Sequence, residues 1–145
     1  MATQSCAIAR CGMEHDVEFC CHCPEYPCMR YDDIDTYDSF ISTRNLHENL
    51  KNIQFKGLEA CKAEMEEKAA LLDGLLTHYN AGRQKAPFAM AVNLLPLEDL
   101  RAVWERLQSE AAALPLKERA KTAISLLRAA ADIRGIDLKP RKKVQ

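Results

Sequence analysis

Cysteine is concentrated at the start of this chain in a pattern that suits metal binding. The 145-residue sequence contains seven cysteines, and six of them lie in its first 28 residues. The stretch FCCHCPEYPC, residues 19–28, holds four of those six. A disulfide framework, a metal cage, an iron–sulfur cluster and a reactive thiol would each concentrate sulfur in this way, so spacing and context must separate the alternatives.

The most informative spacing is Cys20-x2-Cys23. Two intervening residues let a tight turn direct both sulfurs at one ion about 2.3 Å away, and thiolates bind zinc or iron strongly. Cys28 ranks next as a ligand. Cys6 and Cys11 follow, because residues five positions apart would point about 140° from each other on a regular helix. These five cysteines are the predicted metal ligands, and a structural zinc ion needs only four donors.

Three neighbouring residues are weaker candidates. Cys21 and His22 lie inside the Cys-x2-Cys turn, so we expect them to project away from the ion, with Cys21 an exposed free thiol rather than part of a small core. His15 follows Cys11 by four positions, a helical spacing that can bring both to one ion, but an exposed histidine is the favoured interpretation. Cys61 lies on an apolar helical stripe and is predicted to be a buried free cysteine.

The sequence context favours a metal over disulfides. The start, MATQSCAIAR, lacks the features of a secretory signal, and no apolar run approaches the roughly 18 residues that span a bilayer. We therefore expect a cytoplasmic protein with no membrane association. Disulfides are uncommon in a reducing compartment, and an odd number of cysteines cannot pair completely within one chain. Zinc is the predicted cofactor, with an iron–sulfur cluster as the alternative.

The elements that must position these cysteines are helical. Past the cysteines, apolar residues recur every three to four positions, and the alternating β-branched runs of strands are missing. The stretch STRNLHENLKNIQFKG predicts a helix with Ser42 or Thr43 as its N-cap and Gly57 after its end. A long helix is predicted from Leu58, and a short apolar helix over 88–95.

Two later helices are signalled by proline. The sequence Leu-Pro-Leu occurs at 95 and again at 114, and proline suits the first turn of a helix. Each start leads into an amphipathic stripe, the second ending at Gly135, so the two helices are predicted to form an antiparallel pair. The predicted fold class is all-α: a helical body over 39–138, preceded by a cysteine-rich, metal-stabilised lobe over 1–38 and followed by a basic tail over 139–145.

The segments CAIARC, VEFCCHCPEYPC and FISTRNLHENLKNIQFKGLEACKAEMEEK, within residues 6–68, resemble the cysteine-rich domain of unknown function 3795 family, whose members are mainly small prokaryotic proteins. The later stretch GRQKAPFAMAVNLLPLEDL is similar to the longer members. The resemblance implies a metal-binding role for Cys6, Cys11, Cys20, Cys23 and Cys28, and it implies no established reaction. Many members carry further cysteines upstream, whereas five residues precede Cys6 here.

These observations favour a binding module, not an enzyme. The leading hypothesis is a lobe folded around one structural zinc that presents a surface to a protein partner, and the second is an iron–sulfur or thiol-redox protein. Hydrolysis at an open zinc site, with Glu18 or Glu25 as base, is disfavoured because no catalytic zinc signature such as H-E-x-x-H is present. A formal net charge of −1 gives no strong signal for nucleic acid.

Overall fold

The chain is all-α, as predicted. The computed structural model describes residues 6–39 and 41–144, so the first five residues of the predicted lobe and the last of the predicted tail lie outside the described residues. This part of the chain contains no strand, and none of its helices is long and apolar enough to cross a membrane. Its helices are α1 (Ala7–Glu14), α2 (Leu46–Lys56), α3 (Leu58–His78), α4 (Lys85–Leu94), α5 (Leu97–Glu110) and α6 (Leu116–Arg134), with 3₁₀ turns at Cys20–His22 and Met29–Tyr31.

Helices α3 to α6 enclose the main hydrophobic core. The helix α4 packs against α3 and α6, and α5 packs against both α3 and α6. At the centre lie four large side chains with almost no exposure: Phe88, Leu95, Leu107 and Leu127. Burying side chains of this size contributes about 1.5–3 kcal/mol each, so the helical body has a core that does not depend on a metal.

The helix boundaries follow the sequence signals to within a few residues, and α4 begins at Lys85, three residues before the predicted start at 88. The helix α2 begins at Leu46 with Asn45 as its N-cap, a little later than predicted from Ser42 or Thr43, because the backbone of residues 43–45 first forms a turn. The helix α6 ends at Gly135, whose φ of 67° is left-handed and favours glycine. After Gly135 the chain turns back across the body.

A second, smaller apolar cluster belongs to the N-terminal lobe. Its buried members are Cys21, Tyr31 and Leu50, and the half-buried Leu46 and Ile53 pack against it. Since the last three come from α2, the predicted apolar face of that helix covers the lobe. In residues 6–39 only Cys21 and Tyr31 are buried, which is a small core for a segment of this length.

The C-terminal segment is tied to the connector that precedes α2. The Asp38 N–H donates to the Arg141 carbonyl at 2.8 Å, and the Arg141 N–H donates to the Asp38 carboxylate at 2.7 Å. The Arg44 guanidinium donates to the carbonyls of Asp137 and Lys139 and pairs with Asp38 at 3.3 Å. The Asp38 side chain has no exposed area, so this is a buried ion pair, and the predicted basic tail is held in place as far as Arg141.

One close contact inside the body explains a helical glycine. An added Cβ at Gly74 in α3 would lie 2.6 Å from the ring of Trp104 in α5. The same ring packs edge-on against Tyr79, with centroids 5.8 Å apart. The glycine therefore lets α3 and α5 approach across the indole ring.

We predict that Gly74→Ala destabilises the protein by about 1–2 kcal/mol, because displacing the Trp104 ring costs more than the better helix propensity of alanine supplies. In a Trp104→Leu background the ring is gone, so the same substitution is expected to be neutral or stabilising by up to about 1 kcal/mol. Urea denaturation of the four proteins measures both effects. A stabilising Gly74→Ala in the wild-type background would contradict the contact.

Acid should weaken the connection between Asp38 and the C-terminal segment. Burial alone would raise the pKa of the Asp38 carboxyl, but the Arg141 N–H and the Arg44 guanidinium hold that pKa below its usual value. Because an unfolded aspartate has a pKa of about 3.9, this stabilisation is fully present above about pH 4 and is lost as the pH falls below it.

We therefore expect Asp38→Asn to lower the free energy of unfolding by about 1–3 kcal/mol at pH 7, with a smaller difference from wild type at pH 3. Urea midpoints at the two pH values test this, and Asp35→Asn is the matched control because that side chain is exposed on the same connector. Equal deficits at the two pH values would show that the carboxylate charge is not what holds the segment.

Candidate metal centre

Four of the five predicted ligands line one small cavity in the lobe. The cavity has a volume of about 30 Å³ and lies between α1 and the two 3₁₀ turns. The side chains around it include Cys11, Cys20, Cys23 and Cys28, together with His15. Chain segments separated by up to 17 positions therefore bring four thiols and one imidazole to the same place.

The Cys20-x2-Cys23 turn has the form that the sequence predicts. The Cys23 N–H donates to the Cys20 carbonyl at 3.0 Å, which closes a 3₁₀ turn with both end residues at the cavity. The two middle residues do not line the cavity, in agreement with their predicted direction. His22 is exposed, and its ring lies edge-on to Phe19.

Cys21 is not the exposed thiol that we expected. Its exposed fraction is 7%, and it packs with Tyr31 and Leu50. The turn points Cys21 away from the cavity, but α2 covers that side, so the side chain enters the lobe's apolar cluster instead of solvent. Burial raises the pKa of the Cys21 thiol. Cys61, by contrast, is a buried free cysteine on α3, as predicted.

Cys28 is held by an aromatic cluster that the sequence analysis missed. Its carbonyl accepts the N–H of Tyr31 at 3.0 Å, and Tyr31 lies edge-on to Tyr26 with ring centroids 5.3 Å apart. The Tyr26 hydroxyl is 2.6 Å from Nδ1 of His47 on α2. This contact fixes the lobe to α2. Two tyrosines flanking Cys28 are a weak signal in the sequence, and nothing in it links them to a histidine twenty residues later.

The helix α1 separates Cys6 from Cys11. Cys6 is the N-cap of α1, is exposed, and is not among the residues lining the cavity. Cys11 lies inside the helix and faces the cavity, and His15 lies one turn further on. The Cys11 Sγ and the His15 Nδ1 are 3.5 Å apart. Cys6 and Cys11 therefore point in different directions, as the sequence predicted for residues five positions apart on a helix.

The donor set fits zinc chemically, although it is not a finished cage. Thiolate and imidazole are the ligands that zinc prefers, and five such groups line the cavity where four are needed. Within residues 6–39 and 41–144, however, no three side chains of His, Cys, Asp or Glu are placed so that they could hold an ion as they stand. Binding therefore requires the lining side chains to move toward one another.

The two carboxylates named as bases for zinc hydrolysis differ in position. Glu25 lines the thiol cavity, whereas Glu18 is exposed and does not. A larger cavity, of about 1070 Å³, lies between α4, α6 and the C-terminal segment, and none of the predicted site residues lines it. The chemistry that the sequence predicts is thus confined to the lobe.

Models of protein families, curated proteins and solved structures were each compared with the chain, and none of the three comparisons gave a match. The resemblance to the domain of unknown function 3795 family accordingly stays a prediction.

Cys21 should react with iodoacetamide at least about tenfold more slowly than Cys6. Its thiol is buried and its pKa is raised, so both access and the thiolate fraction are reduced, and alkylation requires local opening of the lobe. Mass spectrometry after brief treatment measures the two rates, with buried Cys61 as the reference for a slow thiol. Labelling of Cys21 as fast as Cys6 would show that α2 does not cover it.

Proposed function

We propose that this protein binds one structural zinc ion in its N-terminal lobe and uses the ordered lobe as an interaction module for another protein. The observation that carries the proposal is the cavity onto which Cys11, Cys20, Cys23 and Cys28 converge, with His15 beside them. Four thiols on one small cavity suit metal binding better than they suit a disulfide framework or a single reactive thiol.

The small core of the lobe supports a metal. Residues 6–39 bury only two side chains, and the hydrophobic effect from so few groups offsets little of the conformational entropy of ordering the segment. Zinc binding to a thiolate site contributes on the order of 10–16 kcal/mol at neutral pH, and this energy becomes folding energy when the site forms only in the folded state. A bound ion would thus order the lobe around α1 and the two 3₁₀ turns.

The size of the cavity favours one ion over a cluster. A cavity of about 10–15 Å³ holds one water molecule, so 30 Å³ offers room for two or three particles of that size. A zinc ion fits this space, and a [4Fe–4S] cluster has eight atoms. The iron–sulfur alternative needs a larger rearrangement of the lobe than zinc does.

A binding role is supported by exposed apolar side chains on the lobe and on α2, the helix that covers it. Met13 and Met29 have exposed fractions of 62% and 79%, and Phe55 near the end of α2 has 75%. Methionine and aromatic side chains are enriched in the buried parts of protein interfaces. The resemblance of residues 6–68 to a presumed metal-binding family agrees with the zinc proposal and adds no reaction. We infer that the partner is a protein and that the metal is structural.

Metal analysis tests the proposal directly. Protein purified without chelator should carry about one zinc per chain, and Cys23→Ser should lose most of it while proteolysis before residue 40 becomes faster. Helical signal should largely persist, because the body core is separate. Cys61→Ala is the matched control, since that cysteine is buried in α3 and does not line the cavity.

Each alternative result has a clear meaning. Less than about 0.2 metal atoms per chain would refute the metal centre, given the single site expected from four donors. Iron with acid-labile sulfide and a brown chromophore would replace zinc by the iron–sulfur alternative. Equal zinc loss in Cys23→Ser and Cys61→Ala would show that the cavity thiols are not the ligands.

A further inference from the structure

The cavity has five donors, and a tetrahedral zinc ion needs only four of them. Cys11 and His15 are four positions apart, at the end of α1, and both line the cavity. Residues with this spacing lie one above the other on the same face of a helix. The two side chains therefore reach the cavity from one rigid element, and their separation is set by the helix.

That separation matches one edge of a zinc coordination tetrahedron. Zinc lies about 2.3 Å from a thiolate sulfur and about 2.0–2.1 Å from an imidazole nitrogen, and the ligands subtend an angle of about 109°. Two such ligands are then about 3.5–3.6 Å apart. The Cys11 Sγ and the His15 Nδ1 are 3.5 Å apart, so this pair already has the spacing of two ligands on one ion.

The hydrogen bond that now holds the His15 ring can be released at little cost. The His15 Nδ1 is 2.9 Å from the Cys11 carbonyl, which requires the ring proton to be on Nδ1. The same carbonyl also accepts the backbone N–H of His15 at 3.0 Å. A small rotation of the ring, with its proton on Nε2, frees Nδ1 for a metal beside Cys11, and the carbonyl keeps the backbone N–H as its donor.

Charge also favours an imidazole among the four zinc ligands. Residues 6–39 contain eight acidic and two basic side chains. Four thiolates would give a zinc centre a net charge of −2, and three thiolates with a neutral imidazole give −1. Since like charges in one small lobe repel each other, the mixed shell is electrostatically better suited to this segment.

We propose that His15 is a ligand of the metal, bound through Nδ1 next to Cys11, with two of the remaining cavity thiols completing a shell of three sulfurs and one nitrogen. This inference rests on the proposed zinc function. His15 is exposed, as the sequence predicted, and it also lines the cavity, so exposure does not keep it from the ion. Because the Cys20-x2-Cys23 turn brings both of its end residues to the cavity, Cys28 is left as the surplus thiol beside the ion.

X-ray absorption at the zinc edge of the metal-loaded full chain tests the proposal. The expected shell has three sulfurs at about 2.3 Å and one nitrogen at about 2.0–2.1 Å. In His15→Ala the nitrogen contribution should disappear, and competition with a chelator should show zinc affinity reduced by more than the roughly 10–100-fold loss that follows removal of an outer-shell partner. His22→Ala is the matched control, because His22 is an exposed histidine of the same lobe that does not line the cavity.

The outcomes separate the ligand assignment from the metal centre itself. A four-sulfur shell in the wild type, or a nitrogen shell that persists in His15→Ala, overturns the assignment and leaves the zinc proposal intact. A nitrogen shell lost in His22→Ala instead of His15→Ala also overturns it. Wild-type protein that retains no zinc refutes both proposals together.

Discussion

The guanidinium of Arg44 lies where the main parts of this protein meet. It pairs with the buried carboxylate of Asp38 on the connector and donates to two carbonyls of the C-terminal segment, two residues before α2 begins. A buried charge is tolerated only when it is paired and hydrogen-bonded, and Arg44 meets that condition with groups from distant parts of the sequence. Arg44 thus ties the start of α2, the helix that covers the lobe, to the C-terminal segment, and Asn45 ties it to α4 by donating to the carbonyls of Asn93 and Leu94.

The helical body was accessible to sequence reasoning because its physics is local. Apolar residues every three to four positions, proline before α5 and α6, and glycine after α2 and α6 each act within one or two turns. The contact of Gly74 with Trp104 could not be predicted in this way, since it depends on how α3 and α5 approach each other. The helix α3 runs without interruption through Gly74.

The candidate site was predictable only in part, for the same reason. The Cys-x2-Cys spacing fixes the direction of Cys20 and Cys23 through a single 3₁₀ turn. The burial of Cys21 depends on α2, which arrives more than twenty residues later. The helix α1 was not predicted, although it decides that Cys11 and not Cys6 reaches the cavity. Local spacing therefore predicted which residues of the turn face the cavity, and tertiary packing determines which other thiols and imidazole line it.

The placement of the aromatic residues gives the two cores separate optical signatures. The chain has one tryptophan, Trp104, and its ring packs on Gly74 and Tyr79 in the helical body. Tyr26 and Tyr31 both line the thiol cavity in the lobe. Fluorescence excited selectively at the tryptophan therefore follows the packing of the body, while tyrosine absorption reports in part on the surroundings of the cavity. The protein carries, without any label, independent probes of its metal-free core and of its candidate metal centre.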